Sequence, residues 1–252
     1  MVTIKKEKDI AGLRVSGKIL ASVLRALKDL AKEGVALIDL EMKARELIRA
    51  AGAKPAFLGY MPDGSDKPFP AAICASLNET VVHGIPTKRI LKSGDVFKID
   101  LGVNYRGYFT DAAVTVGIGK ITGEARELIR ATEEALRNAI KACRAGNHIG
   151  DIGFEIEKET KRRGFKVIRG LTGHGVGFAV HEDPTVYNYG RKGEGLVLKP
   201  GLVLALEPML SAGSSDVIQN DDESFATQDG SLTAHFEHTV LITYGEPEIL
   251  TL

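Results

Sequence analysis

Ile10, Leu13, Gly17, Leu20, Leu24, Leu27 and Ala31 recur at alternating spacings of three and four, so the first 33 residues are predicted to form a long amphipathic helix. A second helix is predicted over 39–52, with Asp39 as N-cap, Gly52 at its end, and Leu40, Ala44, Leu47, Ile48 and Ala51 facing inward. A third runs over about 122–146 and a fourth over 151–164. Stretches rich in β-branched residues and punctuated by glycine, at about 71–83, 95–118 and 196–244, read as strands. Helical pattern precedes strand pattern in each half, which predicts an α+β fold and not a doubly wound sheet.

The two-fold rhythm extends to individual residues. Gly34, Asp39 and Gly52 recur as Gly146, Asp151 and Gly164, displaced by 112 positions. LKSGDVFKIDL (91–101) resembles LKPGLVLALEP (198–208), displaced by 107, and Asp100 falls on Glu207. LK-x-G alone is a common turn into a strand. The matching helix ends favour an internal duplication of helix, helix and antiparallel strands, closing one pseudo-symmetric domain over 1–252.

Within DVFKIDLGVNYRGYFTDAAVTVGIG (95–119), Phe97, Ile99, Leu101 and Val103 alternate with Lys98, Asp100 and Gly102, placing Asp100 on the face opposite the apolar row. A four-residue loop at 104–107 would pair Val103 with Tyr108 and set Asp100 directly opposite Asp111. Opposed like charges destabilise a strand pair, so a cation is expected between them, either Lys or Arg or, better, a divalent metal. Glu207 ends the apolar run GLVLALEPML, and Glu237 precedes the strand-like HTVLITY. His174 sits between Gly173 and Gly175, an arrangement that lets the backbone pass close to a ligand; His181 and His83 (in VVHGIP) are further candidates. His148, His235 and His238 read as surface or structural residues.

Composition removes competing classes. Thirty-three basic and 33 acidic residues cancel, which argues against a dominant nucleic-acid or anionic-membrane surface. Short basic groups (Lys5, Lys6 and Lys8; Lys161, Arg162 and Arg163) read as solvated helix faces or ends. Two cysteines, Cys74 and Cys143, form no disulfide framework, and neither has an adjacent base in sequence. The N-terminus is charged where a signal peptide is apolar, and no apolar run spans a membrane, so a soluble cytoplasmic protein is expected. H-E-x-x-H and G-x-S-x-G are absent, and GHGVG lacks the spacing of a nucleotide loop. Asp100, Asp111, Glu207 and Glu237 carry four negative charges that two divalent ions would neutralise. Four carboxylates with one imidazole suit Mn, Fe(II) or Co better than structural zinc. Two such ions can hold a hydroxide between them and polarise a carbonyl, the machinery of metal-assisted hydrolysis.

Taken in order, KDIAGLRVSGKI, NETVVHGIP, KIDLGV, TDAAVTV, TGHGVG, HEDP, LALEPM and HFEHT resemble the type I methionine aminopeptidases over nearly the whole chain. The resemblance implies the pita-bread fold and removal of N-terminal methionine from newly made polypeptides near the ribosome, by a cytoplasmic monomer. It implies two divalent metal ions (Co, Mn or Fe(II), with Zn or Ni as further options). Asp100 would chelate one metal, Asp111 and Glu237 would bridge both, and His174 and Glu207 would complete the other. Glu207 would also shuttle the proton, His181 would contact the scissile peptide, and His83 would face the first substrate residues. Tyr60, Phe69 and Cys74 would line the methionine pocket. The chain departs from the family pattern in MPDGSDKP (61–68), an insertion beside the pocket, and in Glu223, where many members have an aromatic residue. Alternatives are a pita-bread peptidase acting on Xaa-Pro bonds, a non-catalytic binding module on the same fold, and a structural carboxylate cluster.

Overall fold

A computed structural model describes residues 2–61 and 67–252; most of the insertion read at 61–68 lies outside them. Two helices, α1 (Glu7–Leu30) and α2 (Leu37–Ala50), lead into β1 (Lys54–Pro55), β2 (Cys74–Leu77), β3 (Thr80–Val82), β4 (Val96–Tyr105) and β5 (Tyr108–Gly117). The order then repeats with α3 (Gly123–Ala142) and α4 (Ile149–Arg163). Ten strands follow: β6 (Lys166–Val167), β7 (Gly173–Gly175), β8 (Glu182–Val186), β9 (Val203–Leu206), β10 (Met209–Ser211), β11 (Val217–Gln219), β12 (Phe225–Thr227), β13 (Thr233–His235), β14 (His238–Leu241) and β15 (Glu248–Ile249). The first half builds a sheet of order β1-β4-β2 with β5 on β4, and the second builds β15-β14-β9-β7-β8. A further sheet, β11-β12-β3, joins strands of both halves, and β13-β10-β6 completes the set.

The duplication read from sequence holds at the level of single hydrogen bonds. Gly34 and Gly146 have φ of 90° and 91°, and Gly52 and Gly164 have 71° and 79°, the left-handed conformation that glycine adopts without strain. Gly34 N–H donates to the Leu91 carbonyl as Gly146 does to Leu198, and Leu37 donates to Arg89 as Ile149 does to Leu196. The isolated bridges Ala36–Ile90 and His148–Val197 match in the same way.

These contacts correct one expectation. Asp39 does not cap α2: Ala36 holds that position, and Asp39 lies in the first turn. The free N–H groups of Leu37 and Ile38 are taken by the carbonyls of Arg89 and Thr87, so no side-chain cap is required. Asp151 likewise sits inside α4, accepting from the His148 N–H at 2.7 Å. Lys5 is buried, not a solvated face, and pairs with Glu182.

The apolar row of β4 (Phe97, Ile99, Leu101, Val103) is fully buried in one cluster with Leu20, Leu24 and Leu27 of α1 and Leu40 of α2. Helices therefore cover one face of this sheet, and Lys98, Asp100 and Gly102 face the other. The close crossing of α1 over the C-terminal segment depends on Gly17: a Cβ there would lie 2.0 Å from the Leu250 carbonyl oxygen. Gly17→Ala is expected to cost about 1–3 kcal/mol through overpacking. It should lower the thermal unfolding midpoint by several degrees, with Gly123→Ala, whose added Cβ meets nothing within 4 Å, as the neutral control.

Candidate metal centre

Strand pairing brings the acidic residues together, although not in the register expected. The β4–β5 turn contains two residues, Arg106 and Gly107, both at positive φ (55° and 91°), as a tight hairpin turn requires. Asn104 Oδ1 accepts from the Gly107 N–H at 2.9 Å and stabilises this turn. Tyr105 therefore pairs with Tyr108, Asp100 with Ala113 and Asp111 with Gly102. The two aspartates lie diagonally on one face of the sheet, not directly opposite each other. On the far side of β4, Cys74 pairs with Asp100.

The second half supplies the remaining groups. Glu237 lies between β13 and β14; its N–H donates to the Ala113 carbonyl at 3.0 Å, which sets it against β5. His174 lies on β7, opposite Ala205 of β9. A short strand here and another at β8 carry no alternating pattern and were not expected from sequence. The glycines flanking His174 serve strand packing: a Cβ on Gly173 would meet the Ala205 oxygen at 2.4 Å, and one on Gly175 the Asp183 oxygen at 2.2 Å. Neighbouring backbone therefore requires glycine at both positions. Glu207 follows β9 directly, and its carbonyl accepts from Asn188 Nδ2 at 3.0 Å.

Asp111, His174 and Glu237 each offer a ligand atom, all within 4.8 Å of one another. Asp100, Asp111, His174 and Glu207 line one cleft of about 760 Å³ together with Glu237. Asp100 Oδ1, Asp111 Oδ1 and Glu237 Oε1 are buried without a hydrogen-bond partner. Buried acceptors are normally satisfied, and an unpaired buried carboxylate is costly. Burial raises the Asp111 carboxyl to about 7. Burial pushes Asp100, Glu207 and Glu237 well up; the Asp111 charge adds to all three, that of Asp100 to both glutamates, and that of Glu207 to Glu237. Burial lowers the His174 imidazole to about 4, so the ring is neutral. Its Nδ1 lies 2.9 Å from the Gly175 carbonyl, which places the proton on Nδ1 and leaves the Nε2 lone pair facing Glu207 Oε1 at 3.4 Å. A metal-binding histidine is oriented by this kind of bond from its other ring nitrogen. Orphaned acceptors, self-repelling carboxylates and a neutral imidazole fit a divalent cation.

The other sequence candidates gather at the same cleft. His181 Nδ1 lies 2.7 Å from Tyr60 Oη, and its ring packs 4.3 Å from that of His174. Its pKa falls to about 3, first through desolvation and then through His174 and His83. His83 adopts φ of 60°, and its ring meets Phe225 edge-on at 5.7 Å. Burial lowers its pKa, and the nearby Glu223 carboxylate opposes that shift. Phe57, Cys74 and Val180 form a small apolar cluster with Tyr60 and Phe69 packed against it. Tyr60 and Phe69 are also joined through backbone, Phe69 N–H donating to the Tyr60 carbonyl at 2.7 Å across the base of the insertion.

One residue set aside by sequence reasoning belongs here. His235 is 1% exposed, and its Nε2 lies 3.6 Å from Glu207 Oε2. Its neighbourhood depends on β13 pairing with β10, Met209 opposite His235, which no local pattern announces.

A pseudo-two-fold α+β frame closing on buried carboxylates, a neutral imidazole and an open cleft defines a metal-dependent hydrolase. The chain matches metallopeptidase family M24 over residues 11–244 and belongs to that family, among its methionine aminopeptidases. A methionine aminopeptidase of Aquifex aeolicus is 45% identical over 99% of this chain and 98% of the relative. The crystal structure of a methionine aminopeptidase from Thermotoga maritima covers 100% of this chain and 99% of its own, with a TM-score of 0.95 and 42% identity. A prolidase from Pyrococcus furiosus shares the fold alone, with a TM-score of 0.78 and 23% identity, over 99% of this chain and 65% of its own. The fold is thus the α+β architecture that the pattern predicts, in the pita-bread form that the family resemblance implies. Among the described residues no helix is long and apolar enough to cross a membrane.

Proposed function

We propose that this chain, acting as one catalytic unit over 1–252, removes the N-terminal methionine from newly made polypeptides with a dinuclear divalent metal site. The observation that carries the reading is the convergence of three buried carboxylates, the part-buried Glu207 and one neutral imidazole, three of the carboxylate oxygens having no partner. Asp100 would hold one metal, Asp111 and Glu237 would be shared by both, and His174 and Glu207 would complete the second; Co, Mn or Fe(II) suits this oxygen-rich set best, with Zn or Ni as further options. Bound divalent ions supply Lewis-acid polarisation of the scissile carbonyl and an activated water. Glu207, whose pKa is raised by burial, accepts a proton and passes it to the leaving amine. Neutral His181, held by Tyr60 at the cleft, donates to the oxyanion that forms on the scissile carbonyl. His83 lies across the cleft and positions the first residues of the substrate. The apolar group of Phe57, Tyr60, Phe69 and Cys74 receives the methionine side chain. Nascent chains close to the ribosome are the natural substrates of such a site, and the protein works in the cytoplasm as a monomer.

His181→Ala is expected to lower kcat by about 10²–10³-fold, the effect of losing one oxyanion donor. Steady-state kinetics on a methionyl tripeptide at saturating metal measures it. Substrate choice tests the reading against its runner-up, a peptidase of Xaa-Pro bonds. Metal-loaded protein should release methionine from Met-Ala-Ser and leave Ala-Pro peptides intact. Cleavage confined to the bond before proline would favour the runner-up.

A further inference from the structure

The environment of Glu207 contains a group whose chemistry the proposed mechanism leaves unused. His235 is buried, and neither its Nδ1 nor its Nε2 has a hydrogen-bond partner. Its backbone is fully engaged without the ring: Thr115 Oγ1 accepts from the His235 N–H at 2.9 Å and donates to the His235 carbonyl at 2.6 Å. Strand pairing with Met209 fixes the same segment from the other side. The fold therefore holds the strand by its main chain and leaves an imidazole where an apolar side chain would cost less to bury.

The nearest charged acceptor to that ring is the Glu207 carboxylate, with Nε2 to Oε2 at 3.6 Å. The other oxygen, Oε1, faces His174 Nε2 at 3.4 Å. His174 has its proton committed to the Gly175 carbonyl through Nδ1, so its Nε2 has none to give. Of the two imidazoles flanking Glu207, His235 alone can act as donor. A small rotation of the carboxylate shortens 3.6 Å to a hydrogen bond, and bonds of this kind commonly tighten once a site is loaded. Resting on the functional reading above, we propose that His235 is a positioning residue. Its Nε2–H holds Oε2 of Glu207, so that Glu207 presents its other oxygen to the metal and its lone pair to the proton in transit. Carboxylates that bind metal are held by partners of this sort, and losing one typically costs about 10–100-fold in metal affinity or activity.

The test compares His235→Leu, which removes the donor, with His235→Gln, which places an amide N–H near the same point. Mn(II) affinity of the otherwise metal-free protein is measured by titration calorimetry beside kcat and KM. His235→Leu is expected to weaken Mn(II) binding and to lower kcat by about 10–100-fold each, with KM changed little. His235→Gln should restore most of both losses, and circular dichroism should show all variants folded alike. In a Glu207→Ala background His235→Leu should have almost no further effect on Mn(II) affinity, since the carboxylate it holds is gone. Equal losses in the Leu and Gln variants, or a full loss of affinity that persists without Glu207, would overturn the assignment. So would unaltered Mn(II) binding and kcat in His235→Leu. The calorimetric arm is independent of substrate, so wild-type protein that binds Mn(II) yet releases no methionine would refute the functional reading and leave this one standing.

Discussion

Glu207→Gln lowers kcat by about 10²–10⁴-fold at saturating metal, the range that general acid–base catalysis contributes. The substitution keeps the shape and length of the side chain and removes its ability to take and return a proton. Glu207 follows the apolar strand β9, and burial pushes its carboxyl well above the ordinary carboxylate range, first by desolvation and then through Asp100 and Asp111. A carboxylate lining the cleft can take a proton and return it within one turnover, as general acid–base catalysis requires. KM for a methionyl peptide should change far less than kcat, because the apolar pocket around Phe57, Tyr60 and Phe69 is untouched. Steady-state kinetics of the purified variant, at several Mn(II) concentrations to allow for its weaker ligand, measures both. Full activity in Glu207→Gln would remove Glu207 from the chemistry.

The second large effect concerns the protein without metal. Asp111 has a folded pKa of about 7 against 3.8 for an unperturbed aspartate. A raised carboxyl pKa means that the folded state binds the proton more tightly than the unfolded chain does. The resulting stability is complete below about pH 4 and is lost as pH rises through 7. Asparagine at this position is neutral at every pH and escapes that loss. Metal-free Asp111→Asn should already be more stable than metal-free wild type by about 1.5 kcal/mol at pH 5, where the unfolded aspartate is ionised and the folded one is not. At pH 8 the gain should grow to about 4 kcal/mol, which corresponds to roughly ten degrees in unfolding midpoint. Addition of Mn(II) should invert the order, because the wild-type carboxylate gains a counter-ion and the variant has lost a ligand. Thermal unfolding at the two pH values, with chelator and with Mn(II), reads all four states. An Asn variant that gains nothing at pH 8 would show that Asp111 carries no unbalanced charge.

Much of this architecture was legible along the chain because it rests on local pattern. Alternating spacings of three and four marked α1, and the buried Leu13, Leu20 and Leu27 line the face they predicted. Recurrence of Gly34 and Gly52 as Gly146 and Gly164 signalled the duplication because each pair sits at equivalent left-handed positions. Asp100 stood out by its parity against Phe97, Ile99 and Leu101. Features decided by tertiary pairing were hidden. The β4–β5 register depended on a turn in which Arg106, and not the usual Asn or Asp, adopts positive φ. β7 is three residues long and two of them are glycine, so no alternation could mark it. Capping of α2 fell to carbonyls some fifty residues away, which no side-chain signal at Asp39 could foretell. His235 looked ordinary because its significance lies in what β10 brings beside it.

The most direct measurement follows free methionine released from Met-Ala-Ser as Mn(II) is returned, equivalent by equivalent, to chelator-treated protein. The expected result is negligible release from the metal-free protein, a rise that follows metal occupancy, and renewed loss when chelator is added back. Release that is unchanged by chelation, or no release at any Mn(II), Fe(II) or Co(II) occupancy, would contradict a metal-dependent methionine aminopeptidase built on Asp100, Asp111, His174, Glu207 and Glu237.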